Sequence, residues 1–166
     1  MNFGIKLIAT DFDGTIFQES ESPPVPLELQ EKLRFLQTNG CKWVISTGRD
    51  LLSILEGLTR AKLDIHPDFL ITVEREIYIK KNGAYEPLIE WNTKCDKLHS
   101  KLFKQLKPFL PELVRHINEQ FKVTVYSDSY SPLCIIAQDN GTMDLVCEYL
   151  NKFCEKVPGL NVMRND

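Results

Sequence analysis

Several features that mark membrane-bound or secreted proteins are missing from the sequence. No apolar stretch approaches the roughly 20 residues needed to cross a membrane. The N-terminal segment, MNFGIKLIAT, has too short an apolar run before the first acidic residue to act as a secretory signal. We therefore expect a cytoplasmic protein that has no membrane partner.

The sequence also lacks an excess of basic residues. Its 20 Lys and Arg residues face 23 Asp and Glu residues, which gives a formal net charge of -3. We expect no nucleic-acid partner, because binding to phosphate backbones requires a basic surface. With 166 residues, 43% of them hydrophobic, the chain can form one domain or two small subdomains.

Cysteine is present without any pattern that gives it a structural role. The five cysteines are odd in number, widely scattered and without a Cys-x-x-Cys pair. Such an arrangement indicates neither a disulfide framework nor a zinc site. We expect reduced, mostly buried thiols at Cys41, Cys95, Cys134, Cys147 and Cys154.

The first 73 residues follow an alternating pattern of strands and helices. Nearly continuous apolar runs predict buried strands over residues 5–9, 41–46 and 69–73, the first covered on both faces of a sheet. Pro26 suits the start of a helix, and Gly40 suits its end. Short joints between these elements imply parallel strands with right-handed crossovers, as in a doubly wound α/β sheet.

The second half of the sequence shows a different pattern of predicted strands and helices. Asn82 and Gly83 predict the turn of a hairpin that begins a different sheet. Thr93 and Asp96 resemble a helix cap, and later patterns predict strands over 121–126, 133–137 and 160–163, with a helix after a turn at Asn140-Gly141. The sequence thus predicts part of an α/β core in residues 1–80 and an α+β subdomain in residues 81–166.

Two carboxylates follow the first predicted strand. Asp11 and Asp13 are two residues apart and project together at the carboxyl end of that strand, where open α/β sheets bind ligands. Such a pair needs a compensating cation, and hard oxygen ligands suit Mg²⁺. Gly14 allows a sharp turn beside the ligand. The alternative is a solvated Asp-Gly turn with no ligand.

The string Asp11-Phe12-Asp13-Gly14-Thr15 resembles the first motif of the haloacid dehalogenase superfamily, Asp-x-Asp-Gly-Thr. The resemblance implies a Rossmann-like core and a magnesium-dependent phosphomonoester hydrolase with an aspartyl-phosphate intermediate. Asp11 would be the nucleophile and Asp13 the acid/base residue, and both would bind the metal. An ionised carboxylate is chemically competent as a covalent nucleophile.

A second resemblance lies at the end of the next predicted strand. The segment Thr47-Gly48-Arg49 is similar to the Thr-Gly-Arg form of the family's second motif. Thr47 would bind the transferring phosphoryl group, and Gly48 would bring a backbone N–H close to it. Arg49 would bind the substrate phosphate or pair with the cap, or it has a structural role at the start of a helix.

Later segments resemble the sucrose-phosphate phosphatase branch of the superfamily. They are Pro67-Asp68-Phe69-Leu70-Ile71-Thr72, then Glu76-Ile77-Tyr78 and Trp91. This resemblance implies a cap inserted after the second motif and a small phosphorylated metabolite, such as a sugar phosphate, as substrate. The chain departs from the branch at Glu74-Arg75, where Gly-Thr is usual.

Two other interpretations remain open. A phosphoacceptor receiver domain also uses an aspartate at a strand end, but it lacks the Asp-Gly-Thr string and a cap. The second interpretation is a catalytically incomplete module that serves in binding or regulation. In the family, a lysine motif and an acidic metal-binding motif follow the cap, and neither occurs before Asp166. An unpaired first strand would then favour a homodimer or a strand-swapped assembly.

Overall fold

The computed structural model describes residues 4–164, which divide into two compact units, residues 4–95 and 96–164. The division falls at Cys95, inside a helix, whereas the sequence pattern placed it at residue 80. Each unit has its own hydrophobic core, and each is described separately below.

The first unit is built on a five-stranded sheet with the order β1-β2-β3-β4-β5. Its strands are β1 (Leu7–Thr10), β2 (Lys42–Ser46), β3 (Phe69–Thr72), β4 (Glu76–Lys81) and β5 (Ala84–Pro87). The first three strands are parallel, and β4 and β5 pair antiparallel. The predicted α/β class is confirmed, and the parallel strands are those that the apolar runs indicated.

The hairpin of β4 and β5 corrects one prediction. It does not begin a different sheet, because β4 pairs with β3 from Phe69 opposite Ile79 to Thr72 opposite Glu76. The turn itself lies where predicted, with Asn82 at φ 49° and Gly83 at φ 86°. The hairpin therefore extends the core, which explains why the first unit continues beyond residue 80.

Strand β1 is also less buried than predicted. Its residues are alternately exposed and half-buried, and Leu7 is 54% exposed, so one face of β1 is not covered by the described residues 4–164. The strand also lies at the edge of the sheet and pairs only with β2 within these residues. A strand covered on both faces would have left none of these side chains exposed.

Two helices cover the sheet of the first unit, α1 (Leu27–Thr38) and α2 (Leu51–Ala61). Gly40, at φ 86°, follows α1 as predicted. Asp50 caps α2, since its carboxylate accepts a hydrogen bond from the Ser53 N–H at 2.8 Å. Hydrogen bonding with the Ser53 side chain, and then with its backbone N–H, lowers the pKa of Asp50. The largest fully buried side chains of this core are Trp43, Phe12, Ile45, Ile54 and Leu70.

The second unit packs helices against a two-stranded antiparallel sheet, β6 (Val123–Tyr126) and β7 (Cys134–Ala137). Its helices include α4 (Leu110–Gln120) and α5 (Asn140–Cys154), and their buried side chains form its core. That core contains Leu113, Ile117, Val146 and Leu150.

Three predictions for the later residues were wrong. Helix α3 (Ile89–Leu106) begins four residues before Thr93, which is therefore helical and not a cap. Asn140-Gly141 forms the first turn of α5, because Asp139 is the cap and accepts from the Thr142 N–H at 2.8 Å. Residues 160–163 form no strand.

The cysteines agree with the sequence analysis only in part. All five are free, as expected, but only Cys41 is buried and the other four are half-buried. No helix among residues 4–164 is long and apolar enough to cross a membrane.

Candidate active site

Asp11 and Asp13 directly follow β1, with the fully buried Phe12 between them. Alternation along the chain therefore places the aromatic ring in the core and leaves both carboxylates exposed. Asp11 is oriented by its own turn, since Oδ1 accepts from the Phe12 N–H at 2.6 Å. Gly14, at φ 69°, makes the sharp turn that the sequence predicted.

The predicted phosphate-binding residues follow the neighbouring strand. We call residues 47–49 the phosphate loop; it begins where β2 ends. Because β1 and β2 are parallel, with Thr10 opposite Ile45, the two predicted motifs end at the same edge of the sheet. Thr47 is only 4% exposed, and its Oγ1 accepts from the Arg49 N–H at 3.2 Å. This bond uses the acceptor side of the hydroxyl, so its proton can still be donated.

Gly48 has an ordinary backbone conformation, so its role is not to supply a left-handed turn. A Cβ built at this position would meet nothing within 4 Å. The glycine therefore leaves open space beside the backbone of the phosphate loop.

Arg49 makes a forked ion pair with Asp13. Its Nε donates to Asp13 Oδ2 at 2.8 Å, and its Nη2 donates to Asp13 Oδ1 at 2.6 Å. Hydrogen bonding to Asp13 raises the pKa of the Arg49 guanidinium above its usual value. The remaining nitrogen, Nη1, donates to the Ser53 carbonyl in α2 at 3.2 Å. The structure therefore connects the two predicted motifs through their charged side chains.

Two aromatic rings support the Arg49 side chain. Its guanidinium carbon lies 5.2 Å from the centre of the Phe12 ring and 5.7 Å from that of Phe17. The two rings are stacked, with centres 4.7 Å apart. A cation over aromatic faces at these distances is attracted by the ring quadrupoles. The rings thus favour the observed position of the guanidinium.

Gly57 is a site residue that the sequence analysis missed. A Cβ at this position would lie 2.8 Å from Phe12 Cε1 and 2.9 Å from Arg49 Nη1. Only a glycine in α2 lets the helix approach these two side chains so closely. The available signal was an isolated glycine inside a helical pattern, which often has a packing reason.

The site offers few carboxylates for a metal. Among residues 4–164, no group of three or more His, Cys, Asp and Glu side chains is placed to hold a metal ion. Asp11 and Asp13 are the pair that the sequence predicted, and both are accessible to solvent.

Comparison with known proteins identifies the family. A family model described as haloacid dehalogenase-like hydrolase matches residues 8–155. The chain belongs to this family. The match includes both motifs of this haloacid dehalogenase-like hydrolase and extends through α5. Comparison with curated proteins gives no significant match.

Solved structures of other proteins share the fold of this haloacid dehalogenase-like hydrolase. One is yhjK, a haloacid dehalogenase-like hydrolase protein from Bacillus subtilis, at 20% identity and a TM-score of 0.52, covering 98% of this chain and 62% of that one. Another is the sucrose-phosphatase from Synechocystis in complex with sucrose and phosphate. Its identity is 19% and its TM-score is 0.55, and the match covers 93% of this chain and 57% of that one. The chain therefore spans less than two thirds of either protein.

Proposed function

We propose that this haloacid dehalogenase-like hydrolase is a phosphatase that cleaves phosphate monoesters through an aspartyl-phosphate on Asp11. The observation that carries the proposal is the meeting of the two motifs. Asp11 and Asp13 follow β1, the phosphate loop follows the parallel neighbour β2, and Arg49 bridges from one to the other. An accessible carboxylate beside backbone and guanidinium donors suits a phosphoryl group.

The reaction would have two steps that regenerate the protein. The Asp11 carboxylate attacks phosphorus and the bond from phosphorus to the ester oxygen breaks. Asp13, which would take up a proton from solvent once it has separated from Arg49, gives that proton to the departing alcohol. Water then attacks the phosphoryl group on Asp11 and loses a proton to Asp13. This second step releases inorganic phosphate and restores both carboxyl groups to their starting state.

The Arg49 fork sets a condition on this chemistry. Both oxygens of Asp13 accept from Arg49, so Asp13 reaches a leaving oxygen only after it separates from the guanidinium. The substrate phosphate provides the replacement, because a guanidinium binds phosphate with the same forked geometry. Arg49 would therefore exchange Asp13 for the substrate, which releases the acid/base residue when substrate is present.

The cofactor that we propose is a magnesium ion. Mg²⁺ retains several waters and is held in phosphoryl-transfer sites by one or two carboxylates together with the substrate phosphate. Asp11 and Asp13 would supply those carboxylates. When bound, the ion would neutralise negative charge on the phosphoryl oxygens. We expect activity only in the presence of a divalent cation.

The substrate we propose is a small phosphorylated metabolite, with a sugar phosphate as the first candidate. Two features support it: the segments that resemble the sucrose-phosphate phosphatase branch, and a shared fold with a sucrose-phosphatase crystallised with sucrose and phosphate. The second unit would act as the cap that selects the leaving group. The cytoplasmic location and the homodimer or strand-swapped assembly stay predictions of the sequence.

A second function from another class is a non-catalytic module that binds phosphate. The observation that favours it is the forked ion pair, in which Arg49 donates to both oxygens of Asp13, the proposed acid/base residue, at 2.6 and 2.8 Å. Such a module would bind phosphate in the phosphate loop without turning over an ester.

The test measures hydrolysis of an aryl phosphate and of a panel of hexose and disaccharide phosphates. Asp11→Asn should reduce turnover to background, since no other group replaces the nucleophile, and excess EDTA should do the same to the wild type. Asp96→Asn is the matched control, because Asp96 is an exposed aspartate of α3. Full activity of Asp11→Asn would exclude the mechanism. Phosphate binding without turnover by the wild type would favour the binding module.

A further inference from the structure

The turn between β3 and β4 has an unusual backbone. We call residues 72–75 the clamp turn. Val73 has φ 44° and Glu74 has φ 58°, so two consecutive residues with side chains lie in the left-handed region. This conformation is unfavourable for any residue except glycine, and most of all for a β-branched one such as Val73. Such conformations persist only where the surroundings hold them, and they concentrate at functional sites.

The clamp turn holds the phosphate loop by its carbonyl groups. The Val73 N–H donates to the Arg49 carbonyl at 3.0 Å, and the Glu74 N–H donates to the Thr47 carbonyl at 3.3 Å. In an extended strand, successive N–H groups point to opposite edges. The left-handed conformation turns both groups toward one partner. Because of this backbone conformation, the N–H groups of Val73 and Glu74 both donate to the phosphate loop.

Two side chains at the start of α3 form hydrogen bonds with the backbone of the clamp turn and of the strand that follows it. The Trp91 indole N–H donates to the Arg75 carbonyl at 2.8 Å. Asn92 accepts from the Ile77 N–H at 2.8 Å and donates to the Ile77 carbonyl at 3.0 Å, as a neighbouring strand would. A hydrogen bond from Arg75 N–H to the Thr72 carbonyl, at 3.0 Å, closes the turn.

We propose that the clamp turn and Trp91 are positioning elements for phosphate binding. They fix the carbonyls of Thr47 and Arg49, and thereby the direction in which the intervening Gly48 N–H points. The Gly48 N–H shares a peptide plane with the Thr47 carbonyl, which the clamp turn holds, so this N–H is the group that the clamp turn would present to a phosphate oxygen. This inference rests on the proposed function of the phosphate loop. It adds residues outside both sequence motifs to the site.

The experiment compares Trp91→Phe with Tyr85→Phe in the full chain. Trp91 is 45% exposed, so phenylalanine removes the indole N–H while the fold is retained. Tyr85→Phe is a matched control, because it also removes one donor to a backbone carbonyl, that of Pro67 at 2.8 Å. Two quantities are measured: the NMR chemical shift of the Gly48 amide, and the dissociation constant of inorganic phosphate in the presence of Mg²⁺.

We expect Trp91→Phe to shift the Gly48 amide resonance and to weaken phosphate binding by roughly threefold to tenfold, as expected for one lost neutral hydrogen bond. Tyr85→Phe should change neither quantity. An unchanged Gly48 resonance in Trp91→Phe would overturn the positioning role. If the wild type binds no phosphate, the proposed function fails, and the Gly48 resonance of the two variants still decides whether the clamp turn positions the loop.

Discussion

Arg49 and Asp13 face each other with two parallel hydrogen bonds, from Nε to Oδ2 at 2.8 Å and from Nη2 to Oδ1 at 2.6 Å. The two residues are 36 positions apart in the chain, and each comes from a different sequence motif. In this arrangement both carboxylate oxygens of Asp13, the candidate acid/base residue, accept hydrogen bonds from Arg49. Under the proposed function, a substrate phosphate would have to engage this guanidinium.

Arg49→Lys should raise the KM for an aryl phosphate by roughly tenfold, the effect of losing about 1.4 kcal/mol of binding. A lysine provides a point charge but cannot form the fork with phosphate. Steady-state kinetics would measure the change. A lower kcat with an unchanged KM would show instead that Arg49 acts only on Asp13 and does not contact the substrate.

Gly57→Ala should destabilise the protein by about 1 kcal/mol, although alanine is the better helix former. The added Cβ would lie 2.8 Å from a carbon of the fully buried Phe12 ring, so the ring or the helix would have to shift. Denaturant unfolding measures the difference. Gly141→Ala in α5 is the control, because the nearest atom there is an exposed Asp139 carboxylate oxygen at 3.2 Å. A neutral result for Gly57→Ala would mean that the ring and helix separate readily.

Asp68→Asn should destabilise the first unit by about 1–3 kcal/mol at neutral pH. Burial alone would raise the pKa of Asp68, but hydrogen bonds from Lys42, Trp43 and Gln37 outweigh burial and lower it below its usual value. The folded state therefore gains stability above pH 3.8, the unfolded value, and loses it as the pH falls through the lower folded value. The difference between wild type and variant, followed by unfolding from pH 7 to pH 2, should shrink in that acidic range. A difference independent of pH would contradict this explanation.

Glu74→Gly should stabilise the protein by roughly 0.5–1 kcal/mol, because glycine adopts φ 58° without strain while the exposed glutamate side chain contributes little packing. The N–H that holds the Thr47 carbonyl is retained. Thermal unfolding provides the measurement. Glu119→Gly in α4 is the control and should change stability in the opposite direction, since glycine is unfavourable inside a helix. Equal destabilisation by both variants would show that the clamp turn stores no strain.

The sequence determined much of the first unit. Short apolar runs located β2 and β3 because strands buried in a parallel sheet need apolar residues on both faces. The Asp-x-Asp string after β1 and the Thr-Gly-Arg string after β2 placed both motifs at one sheet edge, since the carboxyl ends of parallel strands coincide. Family membership followed from the same strings, and the family match over residues 8–155 confirms it.

Tertiary structure decided what local patterns do not contain. The β4–β5 hairpin looks the same in sequence whether it joins β3 or begins a new sheet, and only pairing with β3 settles the choice. The Arg49 fork and the close approach of Gly57 to Phe12 depend on distances between segments that are remote in sequence. The clamp turn is the clearest case, because Val73 and Glu74 have no intrinsic preference for left-handed backbone. They adopt it because the phosphate loop and Trp91 supply hydrogen bonds that are available only after the chain has folded.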